Sequence, residues 1–169
     1  MMNLKLSKGF TLAENLIILV IVGILAAIAI PNIRGMYNQA QVNQATNMVR
    51  GAMQEAQREA MRKSKQCKIK FDTIIVNGQI RHRVTNELPQ KCLLSDRLLP
   101  QGVTLQHNNN DTINYGMKGN TTTMKTMRIS APGVAEEKCL VISMPLAIVR
   151  QGAYHHDGGG ISASKCKKN

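Results

Sequence analysis

The sequence predicts an α+β fold in which one long N-terminal helix carries a small antiparallel β head. Three observations predict it: an apolar run of 21 residues at 10–30, a helical periodicity that continues past Pro31, and short β-branched runs between turn residues after Cys67. At 169 residues the chain has room for that helix and one head of ordinary domain size. The expected divisions are residues 1–9, 10–30, 31–65 and 66–169.

Residues 1–9, MMNLKLSKG, lack the apolar core of about 7–15 residues that a secretory signal peptide needs. The apolar run begins only after Gly9. As a helix, FTLAENLIILVIVGILAAIAI would span about 31 Å, close to the hydrocarbon thickness of a bilayer. A single-pass membrane segment is expected.

That segment holds one charge, Glu14, near its start. A carboxylate in lipid costs roughly 2.5–3.5 kcal/mol at the helix centre and less toward the interface. A cut between Gly9 and Phe10 would set a new amino terminus one helical turn before Glu14, a positive group at matching depth. Within one helix that ammonium is poorly directed at its own Glu14, so the better partner is Glu14 of a neighbouring chain. A plain signal-anchor with Glu14 snorkelling to the interface is the competing reading.

The residues KGFTLAE, followed by a long apolar helix, closely resemble the type IV prepilin signature. The resemblance implies that a prepilin peptidase cuts after Gly9, that Phe10 is N-methylated, and that Phe10, Glu14 and Pro31 serve assembly with other pilin or pseudopilin subunits. It places the chain in the bacterial inner membrane before assembly and then in the periplasm or a surface pilus. The fold it implies is the pilin ladle. Pro31 lacks an N–H, so a kink or a short melted stretch around residues 27–32 is expected.

Beyond Pro31, Met36, Ala40, Ala45, Met48, Val49, Ala52, Met53, Ala56 and Ala60 recur mostly at three- and four-residue steps. The helix should run on, amphipathic, to about Lys63, with basic residues at the negative end of its dipole. After Cys67, KIKFDTIIV and QIRHRV flank Asn77-Gly78, the turn pair best suited to a tight hairpin. Later strands are expected at VTLQ from Val103, TINY from Thr112, TMRIS from Thr126, CLVIS from Cys139 and LAIV from Leu146. QHNNND from Gln106 and the tail from Asp157 read as loops, the tail tethered by Cys166 alone.

Four cysteines, Cys67, Cys92, Cys139 and Cys166, form no CxxC pair, so disulfides in an oxidising compartment are expected. Three pairings are open. Cys67 with Cys92 and Cys139 with Cys166 is preferred, because each closes a loop of roughly 25 residues.

The formal charge is +12, and removing Lys5 and Lys8 with residues 1–9 leaves the remainder strongly basic. Such a chain suits acidic partners, or is merely soluble. Three Tyr, two Phe and no Trp give few stacking platforms for bases. With Asn77-Gly78 as the turn, Lys70 falls opposite Thr85, Asp72 opposite Arg83 and Ile74 opposite Arg81, which puts Lys68, Lys70, Arg81 and Arg83 on one face. That face could track DNA phosphates without base specificity, or be a solvated sheet face partly neutralised by Asp72.

The stretches RGAMQEAQREAMRKSKQCKIKF and KCLVISMPLAIVRQG resemble the stem-to-strand junction and last strand pair of the GspH/FimT family of minor pseudopilins. The resemblance implies a low-copy subunit near the tip of a type IV pilus or of a type II secretion pseudopilus contacting exported proteins. Some pilus members take up DNA for transformation through a basic glycine-arginine segment in the final strands, and of that pattern this chain keeps Arg150.

No catalytic constellation is apparent. Ser143 and Ser162 have no evident base, and His82, His107, His155 and His156 are scattered, with His155-His156-Asp157 before a triple glycine. No enzyme, cofactor or metal site is expected. Met117, Met124, Met127 and Met144 are expected to fill the head core.

Overall fold

The computed structural model describes residues 11–168, with the backbone alone for residues 28–32. Residues 1–10, and with them the Gly9-Phe10 junction, lie outside the described residues, as does Asn169.

The described residues form one long helix followed by nine strands. Helix α1, Leu12–Lys63, has 52 residues and a length of about 78 Å. It continues through Pro31 with no melted stretch. A proline removes one rung of the ladder, but its fixed φ is itself helical, and the neighbouring rungs carry the backbone past it. The helix stops at Ser64, whose left-handed backbone (φ 49°) turns its N–H back to the carbonyls of Ala60 and Met61. Glu59 stabilises the last turn by pairing with Arg62 and Lys63, each at 2.7 Å.

The helix buries Val42, Ala45, Thr46, Val49, Ala52, Met53, Ala56 and Ala60. Three residues of the expected face fall outside this stripe: Met36 is 73% exposed, Ala40 is exposed and Met48 is only half-buried. The head meets the helix from Gly35, which lies beside the Gly133 carbonyl, and Asn38 and Gln39 then donate to the carbonyls of Pro132 and Glu136 (2.7 and 2.9 Å), while Met36 is left exposed. Where the head does cover the helix, alanines dominate the stripe and let the sheets approach closely.

The remaining elements are β1 (Cys67–Val76), β2 (Gln79–Asn86), β3 (Arg97–Leu98), β4 (Thr104–His107), β5 (Thr112–Tyr115), β6 (Lys125–Ser130), β7 (Lys138–Ser143), β8 (Ile148–Tyr154), a 3-10 turn (Ala163–Lys165) and β9 (Cys166–Lys167). They form two antiparallel sheets, in the orders β3-β2-β1-β5 and β4-β6-β7-β8-β9. The hairpin register is the one Asn77-Gly78 dictates: Val76 opposite Gln79, Ile74 opposite Arg81, Asp72 opposite Arg83 and Lys70 opposite Thr85. Between sheets and helix lies one core, including Ile69, Phe71, Val84, Leu99, Ile113, Tyr115, Met127, Ile129, Leu140 and Ile142.

Four expectations need correction. His107 belongs to β4 rather than to a loop, pairing with Met127. Leu146 and Ala147 form the turn between β7 and β8, with Ala147 at φ 54°, and the strand starts at Ile148. Of four methionines assigned to the core only Met127 is there. Met117, Met124 and Met144 are 58%, 52% and 49% exposed, because they sit on connections at the strand ends. Finally, the tail is held by more than a cysteine: β9 pairs with β8 at Ala153 and Tyr154, and His155 N–H bonds the Lys165 carbonyl at 2.9 Å.

Cys67 is joined to Cys92 and Cys139 to Cys166, with Cα separations of 5.6 and 5.8 Å. The first closes the loop after β2 onto the helix exit. The second ties the tail to the outer face of β7.

Candidate assembly end and basic face

Thr11 is the N-cap of α1 and forms a reciprocal capping box with Glu14. Glu14 N–H donates to Thr11 Oγ1 (3.3 Å), while Thr11 N–H and Oγ1–H both donate to Glu14 Oε2 (3.0 Å each). Oε1 has no partner among the described residues, so the carboxylate is oriented by one oxygen and open at the other. The spacing Thr-x-x-Glu is legible in the sequence as a helix start, and Thr11 is the residue sequence reasoning missed.

Downstream of this cap, Leu12, Leu16, Ile17, Ile18, Leu19, Val20, Ile21, Val22, Ile24 and Leu25 are 46–80% exposed. At about 25 cal/mol per Å², such a surface calls for lipid or another apolar helix. Among the described residues no helix is long and apolar enough to cross a membrane. The expected span at residues 10–30 falls partly outside them.

On the head, Lys68, Lys70, Arg81 and Arg83 share the outer face of the β1–β2 hairpin, whereas Arg150 lies on β8 of the other sheet. The arginines are engaged. Arg83 meets Asp72 at 3.0 Å and Asp96 at 3.4 Å. Arg81 donates twice to the Leu99 carbonyl, at 3.1 and 2.5 Å. The Thr73 N–H and then Arg83 hold the Asp72 carboxyl below its ordinary range. The groove on this face, about 590 Å³, is lined by three cations (Lys70, Arg83, Lys91) and three carboxylates (Asp72, Glu87, Asp96). Its lining is balanced in charge.

Among the described residues no three His, Cys, Asp or Glu side chains are arranged to hold a metal. His155, His156 and Asp157 are exposed. Lys125, in contrast, is buried between the sheets, donating to the Asn110 carbonyl and lying 5.1 Å from the Phe71 ring. Burial lowers its pKa to about 8.

A family model of the prokaryotic N-terminal methylation motif matches residues 4–30. No curated protein and no solved structure matches the chain. The motif spans the Gly9-Phe10 junction and the capped Glu14, and it implies processing by a prepilin peptidase, anchoring in a membrane before assembly, and assembly with pilin subunits. The match and the α+β fold are together consistent with a type IV pilin-like protein.

Proposed function

We propose that the chain is a minor subunit of a type IV pilus or related type II secretion pseudopilus, cut between Gly9 and Phe10, methylated on Phe10, and placed near the filament tip with its head exposed. One observation carries this reading. Glu14 is the single charge of an exposed apolar helix, inside the matched motif, and its carboxylate is fixed by Thr11 with Oε1 open to a neighbour. The amino group freed at Phe10 of an adjacent subunit is the cation that fits this position, and pairing it offsets the cost of a buried carboxylate.

The test is a Glu14→Ala variant in the native cell. Cleavage and membrane retention should be unchanged, and the amount recovered in the filament fraction should fall at least tenfold. Unchanged incorporation would contradict the proposal.

A further inference from the structure

The tail returns across one face of the β4-β6-β7-β8-β9 sheet. Cys139 and Val141 of β7 stand opposite Gly152 and Arg150 of β8, so these four positions share a face. The Cys139–Cys166 bond holds the tail on that face. Gly152 lets it lie close, since a Cβ there would collide with the Lys167 carbonyl.

Between tail and strands lies a cavity of about 260 Å³, lined by Val141, Arg150, Gln151, Cys166 and Lys168. Val141, 1% exposed, gives it an apolar wall. The polar side chains of the lining are left as donors. Arg150 and Lys168 are exposed cations with no hydrogen-bond or ion-pair partner among the described residues. The one side-chain acceptor, Gln151 Oε1, is taken by Arg50, whose guanidinium donates to it at 3.3 Å and brings a third cation near the rim.

No carboxylate lines this cavity. The acids just before β7, Glu136 and Glu137, are paired with Lys138 at 2.8 Å and Arg128 at 2.5 Å. The groove on the β1–β2 face differs in this respect, because its three cations are matched by three carboxylates.

We propose that this pocket binds a phosphate group carrying two negative charges, either as the free ion or at the end of an ester. Two unpaired cations without an acid are matched by a dianion, whereas a carboxylate leaves one of them unmet. A guanidinium fork with an ammonium beside it supplies donors to several oxygens of one tetrahedral group. The volume is below the roughly 300 Å³ at which pockets for drug-sized ligands begin, so it suits a headgroup and not a whole ligand. A phosphodiester within a nucleic-acid strand fits less well, since it carries one charge and has chain on both sides, while the tail walls this cavity. This inference does not depend on the leader or on Glu14.

The test uses the full chain in detergent micelles, with inorganic phosphate and glycerol 1-phosphate as probes and amide chemical shifts as the readout. Saturable shifts are expected at residues 141, 150–151 and 166–168. Binding of both probes supports an ester end group as ligand, and binding of inorganic phosphate alone supports the free ion. Dimethyl phosphate and acetate, both monoanions, should bind at least tenfold more weakly. Arg150→Gln and Lys168→Gln change exposed side chains, so the fold should persist, and each should weaken binding at least fivefold. Lys70→Gln, on the other sheet, should leave it unchanged. No saturable shift, equal binding of the monoanions, or equal weakening by Lys70→Gln would overturn the proposal. So would displacement of glycerol 1-phosphate by an equal concentration of a DNA duplex without terminal phosphates, which would make the pocket part of a polyanion track.

Discussion

At the first turn of the helix, Thr11 and Glu14 hold each other, and the pair is specific enough to test residue by residue. Replacing Thr11 by Val keeps the shape and removes the hydroxyl that caps the turn, at a cost of about 1 kcal/mol to that helix end. Faster amide exchange at residues 12–15 is the expected result. Lys125 gives a second residue-scale prediction, from linkage. Its pKa is lowered from 10.5 to about 8 by burial, so between those values the unfolded chain holds a proton that the folded chain lacks. Stability therefore rises with pH through that window. From about pH 8 to about pH 10 the wild type should gain about 2 kcal/mol relative to Lys125→Met, read from urea midpoints. A constant difference between the two proteins would contradict this. The apolar and β-branched run TMRIS starts at Thr126, one residue after the first residue of β6. Only the pairing of Lys125 with Ile142 shows that it faces the core.

Among the elements, legibility followed how local the cause was. Asn77-Gly78 fixes the hairpin register within two residues, so each cross-strand pair of β1 and β2 could be read from the chain. The tail could not, because what holds it is a distant glycine. A Cβ on Gly152 would collide with the backbone of Lys167, which crosses β8 at that point. Gly152→Ala should release β9 while the Cys139–Cys166 bond remains. The expected signs are lost amide protection at residues 166–168 and about 1–3 kcal/mol of stability. The exposed methionines were misread for a related reason: composition indicates that a methionine is apolar, but not that it sits on a connection instead of a strand. For the other bridge, replacing Cys67 and Cys92 by Ala should cost about 2–4 kcal/mol and loosen residues 86–94 first. Asn86, whose side chain accepts from Cys92 and Leu93 N–H at 2.6 and 2.7 Å, would then hold that loop without the bridge.

The whole molecule divides into a bare apolar rod and a packed head with a two-disulfide frame. Its stability should fall in acid. His82 and His107 are held below their ordinary pKa of 6.5, first by burial and then by nearby positive charge. As pH falls past that value the unfolded chain takes up protons that the folded head resists. The wild type should therefore lose stability between about pH 7 and about pH 5, and a His82→Gln, His107→Gln double variant should lose less. At the other end of the molecule, the rod explains why the leader and Glu14 belong together. An apolar helix with one acid needs a cation at the same depth, and removal of residues 1–9 would provide it. The direct measurement is the mass of the amino-terminal peptide from protein purified out of its native membrane or filament. A peptide beginning at Phe10 and carrying one methyl group is the predicted result, and an intact residues 1–9 leader would contradict the account.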